Sequence, residues 1–158
     1  MVTPNESWFG NQRGSMPRSF RVFLVEDSLT DAHVLERAFR ETRIDHVLTH
    51  CVDGPEALRN LRALQPGDRP DLVLLDLNLP GMDGHEVLER IKADPGLKTL
   101  PVVILSTSRL DEEVGRAYQS GANSYITKPG DFAGYQDLVQ ALTLYWRDTV
   151  VSAPAIAP

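Results

Sequence analysis

The stretch Asp71-Leu72-Val73-Leu74-Leu75-Asp76 decides the fold. Its apolar residues follow one another without polar alternation and are too few for a helix. Such a run fits a strand buried on both faces, the kind found in parallel sheets covered by helices on either side. Two more runs of this sort flank it. Phe20-Arg21-Val22-Phe23-Leu24-Val25 lies upstream and Pro101-Val102-Val103-Ile104-Leu105 downstream. His46–Val52 and the more mixed Asn123–Thr127 read as two further strands.

Helical spacing fills the intervals. Ser28 offers an N-cap ahead of Val34, Leu35, Ala38 and Phe39. Asp53 can cap a helix carrying Ala57, Leu58, Leu61 and Leu64, which Pro66-Gly67 and Pro70 end. Asp83 and Glu86 form an Asp-x-x-Glu version of the capping box before Val87, Leu88 and Ile91. Asp111–Ser120 is a short helix that Gly121 stops in a left-handed conformation. Asp131 to about Arg147 is the last helix. Strands alternating with helices predict an α/β fold, a five-stranded parallel sheet with five helices on both faces.

Composition narrows the classes. The chain has 158 residues, 16 Lys and Arg against 22 Asp and Glu, and a formal charge of −6. The length fits one domain with short ends. The acidic balance argues against nucleic acid as a partner, since that affinity comes largely from cations on phosphates. The one cysteine, Cys51, excludes an internal disulfide and points to a reducing compartment, hence a cytoplasmic location. No apolar run is long enough to cross a membrane. Residues 1–18 read as a disordered leader, with Met16 as a second possible start, and 149–158 as a flexible tail. The domain proper is 19–148. About ten residues follow the last helix, so no output module is expected after it. The four histidines have no metal-ligand spacing and read as surface or packing residues.

Doubly wound parallel sheets bind ligands at the carboxyl ends of their strands. There the first strand gives Glu26-Asp27, the third Asp76, the fourth Ser106-Thr107-Ser108 and the fifth Lys128-Pro129. Three carboxylates in one cleft need a neutralising charge. Mg²⁺ would supply it through oxygen ligands. Aspartate is a known covalent nucleophile, and phosphoryl transfer needs in-line positioning and charge neutralisation more than acid–base work. Asp76 is the candidate nucleophile and Asp27 the candidate direct metal ligand. Glu26 would act through water, and the Asn78 backbone carbonyl could reach the metal. Lys128 and Ser106 could hold a phosphoryl oxygen.

These motifs resemble the receiver domain of bacterial two-component response regulators. They are Val25-Glu26-Asp27, Leu74-Leu75-Asp76-Leu77-Asn78-Leu79-Pro80-Gly81-Met82-Asp83-Gly84, Ile104-Leu105-Ser106 and Ile126-Thr127-Lys128-Pro129. The resemblance spans about Phe20 to Trp146. It implies the flavodoxin-like strand order 2-1-3-4-5. It implies phosphorylation of Asp76 by a histidine kinase, with Mg²⁺ held by Glu26, Asp27, Asp76 and the Asn78 carbonyl. Ser106 and Lys128 would bind the phosphoryl group, and Ser106 with Tyr125 would form the switch. Asn78 and Ser108 would tune the phosphorylated lifetime, and the Lys128–Pro129 peptide would be cis. Such a protein is a phosphoacceptor rather than an enzyme, with only self-catalysed phosphorylation and dephosphorylation. The stretches Lys92-Ala93-Asp94-Pro95, Ser106-Thr107-Ser108, Gly121–Pro129 and Leu144-Tyr145-Trp146 are similar to stand-alone receivers paired with phytochrome-type light-sensing kinases. A chemotaxis-type receiver, or a phosphorelay or phosphate-sink receiver for another histidine kinase, is the alternative.

Two other classes fit less well. Phosphatases with an aspartyl nucleophile carry a second Asp two residues on, where this chain has Asn78. A flavodoxin-like cofactor binder needs a phosphate cradle after the first strand, where Glu26-Asp27 would repel it. On a helical wheel the apolar residues of the last helix cover about 180°, more than one core face requires. The excess predicts a homodimer through the last strand and helix, with Tyr135, Leu142, Tyr145 and Trp146 at the contact.

Overall fold

The computed structural model describes residues 18–154. The predicted leader therefore lies outside the described residues except for Arg18, as do the last four residues of the tail. The strands are β1 (Phe20–Val25), β2 (His46–Cys51), β3 (Leu72–Leu75), β4 (Val102–Ser106) and β5 (Ser124–Thr127). The helices are α1 (Leu29–Glu41), α2 (Gly54–Ala63), α3 (Gly84–Ala93), α4 (Asp111–Gln119) and α5 (Phe132–Leu142). All strand pairs are parallel, and the sheet order is β2-β1-β3-β4-β5, as expected.

Alternate residues of the central strands feed two separate cores, because successive side chains of a strand point to opposite faces. Phe23, Val25, Val73, Leu75, Val102 and Ile104 pack on one face with side chains of α2, α3 and α4. Val22, Leu24, Leu72, Leu74, Val103 and Leu105 pack on the other with α1 and α5. All four β3 residues are fully buried, which is why that strand reads as an unbroken apolar run. The Arg37 guanidinium of α1 lies 4.2 Å over the Phe132 ring of α5 and ties the two helices at the surface.

The caps follow the sequence. Ser28, Asp53 and Asp83 each accept a backbone N–H of the first turn that they precede, and so does Asp131, which the sequence reading places inside its helix. The capping box at Asp83 is only half built. Its carboxylate accepts from Glu86 N at 2.9 Å, but Glu86 pairs with Arg90 at 2.6 Å instead of turning back. Gly121 stops α4 at φ +97°. Cys51 is fully buried and accepts from the Asn60 side-chain amide at 3.3 Å.

The last helix departs from the expectation of one α-helix to about Arg147. α5 ends at Leu142, and Thr143–Arg147 continues as a wider π-helical turn. Thr143 Oγ1 donates to Val139 O at 2.7 Å, a side-chain bond that competes with the helix ladder. The wheel therefore fails beyond Leu142. Tyr135 and Leu142, predicted at a dimer contact, are instead buried with Leu138 and Val139 against α1 and the sheet. Leu144 and Tyr145 are exposed, and Trp146 is half-buried with its ring perpendicular to that of Tyr145. Thr149 and Val150, counted with the tail, are tied back to Leu144 O and Tyr145 O.

Candidate functional site

The strand order reverses between β1 and β3, so the chain leaves these neighbours toward opposite edges of the sheet. Val25 and Leu75 are register partners, which sets Glu26 and Asp76 side by side at the cleft. Asp76 N donates to Val25 O at 3.0 Å, and Glu26 N to Cys51 O at 3.0 Å. Glu26 and Asp76 are 2% and 3% exposed, whereas Asp27 stands in solvent. One carboxylate oxygen from each of the three lies within 4.8 Å of the others.

Lys128, just beyond β5, crosses to this cluster. Its ammonium donates to Glu26 Oε2 at 2.6 Å, Asp31 Oδ2 at 2.8 Å and Asp76 Oδ2 at 3.0 Å. Burial alone would lower the Lys128 pKa, but bonds to Asp31, Glu26 and Asp76 outweigh it and hold the amine protonated. Burial is also the main influence on Glu26. Its carboxyl is pushed up to about 7, with Asp76 adding repulsion and Lys128 opposing the rise. The remaining oxygens of the pair are used as well. Glu26 Oε1 accepts Ser28 N at 3.0 Å, and Asp76 Oδ1 accepts Asn78 N at 3.1 Å. Buried carboxylates persist only with such partners.

Ser106 is fully buried at the end of β4, and its hydroxyl accepts Ser108 N at 3.2 Å. Tyr125, half-buried, donates its hydroxyl to Ser108 O at 3.0 Å. The loop after β4 thus bridges the two predicted switch residues. The Lys128–Pro129 peptide, expected cis, is trans, since no cis bond occurs among the described residues. Trans is the favoured state of an X–Pro bond by about 0.5–1 kcal/mol. Lys128 N still reaches Ser106 O at 2.8 Å, and its ammonium reaches the carboxylates.

Asp31 was not legible as a site residue. An acid in a first helical turn reads as an ordinary favourable interaction with the helix dipole. The available signal was position: a helix starting three residues after Glu26 lays its first turn over the same sheet edge. His50 was also missed; its Nε2 lies 2.7 Å from Glu26 O.

An acidic pocket of hard oxygen donors with a buried ammonium, at the switch point of a 2-1-3-4-5 parallel sheet, is the arrangement expected of a receiver domain. The chain belongs to the response regulator receiver domain family, whose model matches residues 22–143. It is 40% identical over 134 residues to "Response regulator Rcp1" of Synechocystis sp., covering 82% of this chain and 90% of that one. Among solved structures it is similar to the phosphorylated cyanobacterial phytochrome response regulator RcpA. That match has a TM-score of 0.78 and 38% identity, over 85% of this chain and 99% of that one. It is also similar to the Mn²⁺-bound form of Rcp1, with a TM-score of 0.74 and 38% identity over 84% and 98%. The described residues contain no helix long and apolar enough to cross a membrane.

Proposed function

We propose that this chain is a response regulator whose Asp76 accepts a phosphoryl group from a histidine kinase, and that this kinase is a phytochrome-type photoreceptor. The observation that carries the reading is the buried Asp76 carboxylate, 3.0 Å from the Lys128 ammonium and within 4.8 Å of the Glu26 and Asp27 oxygens. The pairing with a phytochrome-type kinase is supported by the likeness to RcpA.

Glu26, Asp27 and Asp76 are all oxygen donors and suit a hard divalent cation, for which Mg²⁺ is the proposed ion. When bound, it would neutralise charge on the phosphoryl oxygens. The Asn78 carbonyl is the proposed fourth protein ligand. The chain does the rest. Asn78 N–H and Lys128 fix the two Asp76 oxygens, so the nucleophile is oriented before the donor arrives. Lys128 offers positive charge to the transferring group without giving up its proton. Ser106 supplies a hydroxyl, and its turn toward the phosphoryl group would release the Ser108 loop that Tyr125 holds. Asn78 and Ser108 are the proposed residues that tune the lifetime of the phosphorylated state. Phosphorylation and its reversal are self-catalysed.

The test is incubation of the full chain with acetyl phosphate. Mg²⁺-dependent labelling that disappears in Asp76→Asn is expected; equal labelling of that variant overturns the assignment. Phosphotransfer from a phytochrome-type kinase, compared with transfer from other histidine kinases, tests the pairing. We also propose a cytoplasmic location and a homodimer. The dimer contact is the exposed Leu144–Tyr145 turn with Trp146 and the β5 edge, not the buried Tyr135 and Leu142.

A further inference from the structure

An ammonium carries three N–H donors. In this site Glu26, Asp31 and Asp76 occupy all three, at 2.6, 2.8 and 3.0 Å. No donor of Lys128 is left for a phosphoryl oxygen, so one carboxylate must let go when a phosphoryl group arrives. Two of the three are poor choices. The Glu26 and Asp76 side chains are 3% and 4% exposed, and both belong to the acidic group that suits a cation. Glu26 and Asp76 are enclosed where water cannot take the place of the ammonium. The Asp31 side chain is 37% exposed, so water can replace the ammonium there.

Asp31 is nonetheless built into place. Glu26 Oε1 accepts Ser28 N at 3.0 Å, and Ser28 Oγ accepts Asp31 N at 3.2 Å. The turn leading into α1 is thereby braced from the site itself, with the Asp31 carboxylate against Lys128.

We propose that Asp31 is a positioning residue for phosphoryl transfer: it holds the third donor of Lys128 in the resting site and yields it to the incoming phosphoryl oxygen. The proposal rests on the reading of Asp76 as phosphoacceptor. In the step itself an Asp76 carboxylate oxygen forms a bond to phosphorus, and the bond from phosphorus to the oxygen of the donor breaks. With acetyl phosphate the electron pair leaves on acetate. No proton moves, and Lys128 exchanges Asp31 for a phosphoryl oxygen.

A charge-assisted bond is about twice as strong as a neutral one, so an uncharged residue at position 31 competes less well for the ammonium. In the full chain at saturating Mg²⁺, Asp31→Asn should take label from acetyl phosphate about three- to tenfold faster than the unaltered protein. Asp31→Ser, which also lacks the charge, should be faster too. Asp31→Glu restores the carboxylate and should return to the original rate. A charge-free variant at or below the original rate overturns the proposal, as does an Asp31→Glu protein as fast as Asp31→Asn. Unaltered protein that takes no label, or Asp76→Asn that takes label equally, overturns the phosphoacceptor reading instead.

Discussion

Gly84 and Asp76 meet backbone to backbone: a Cβ at residue 84 would stand 2.2 Å from the Asp76 carbonyl oxygen and 2.5 Å from Leu77 Cα. Gly84 N also donates to Leu77 O at 2.9 Å. The first residue of α3 is thus pressed against the segment that carries Asp76, the proposed nucleophile. Gly84→Ala should push that segment aside. A loss of about 1–3 kcal/mol is expected, typical of overpacking where nothing can yield. Labelling of Asp76 should fall with it, because its carboxylate moves relative to Lys128. Denaturant unfolding and acetyl phosphate labelling of the same preparation check both effects.

Lys128→Ala removes the cation shared by three carboxylates. Breaking a buried pair from one side costs about 3–5 kcal/mol. The lower end applies here, since Glu26, already pushed up to about 7, can take up a proton. Added Mg²⁺ should recover more stability in the variant than in the unaltered protein. A ligand at 100 times its Kd contributes about 2.7 kcal/mol. Thermal unfolding with and without Mg²⁺ measures the difference; an equal shift in both proteins contradicts it.

His85 gives the stability a pH dependence. It is 6% exposed on α3, and its Nδ1 is buried with no hydrogen-bond partner. Burial chiefly lowers its pKa, and Arg116 of α4 adds to this, against Asp83, Glu113 and Glu89. The unfolded chain therefore binds the His85 proton more readily than the folded one. Stability contributed by neutral His85 is complete above the ordinary value of 6.5 and is lost as the pH falls below it. The slope is at most about 1.4 kcal/mol per pH unit for one proton. His85→Leu should remove this loss on the acid side, leave the opposite slope of Glu26, whose raised carboxyl binds its proton more readily in the folded chain, and remove an unsatisfied ring nitrogen. Parallel unfolding curves for the two proteins between pH 7 and 5 would contradict this.

Tyr145 and Leu144 test the proposed dimer. They are 56% and 57% exposed, whereas α5 buries Tyr135, Leu138, Val139 and Leu142 on α1 and the sheet. A Tyr145→Ala, Leu144→Ser double variant should shift the chain toward monomer in sedimentation experiments, with its fold intact. An unchanged sedimentation coefficient places the contact elsewhere.

Strand and helix order were legible because each element announces itself locally. β3 is apolar throughout because it is buried on both faces, and caps such as Ser28 and Asp83 stand where backbone donors need them. The cluster was legible where a residue follows a strand end: Glu26, Asp76 and Lys128 come together there, while Ser106 ends β4 with its hydroxyl on Ser108 N. Asp31 was hidden because its role depends on where α1 starts in space, and the sequence offers only a common first-turn acid. The π-helical turn was hidden for a related reason. One Thr143 hydroxyl bond and the backbone bonds from Asp148 and Val150 create it, and a fixed helical period cannot register a change of pitch. Glu86 had two possible partners, and Arg90 one turn ahead outcompeted the cap.

Cys51 lies at the end of β2, fully enclosed, and burial raises its thiol pKa. As the chain's one cysteine it has no disulfide partner within the chain and little thiolate to react while the sheet is closed. A thiol reagent therefore has one address in this molecule, open only when β2 or the α2 helix packed over it lifts away. The rate at which that address accepts label is a clock for local opening beside Glu26, and comparing the clock with and without phosphoryl donor reads how firmly the modified site clamps its own edge strand.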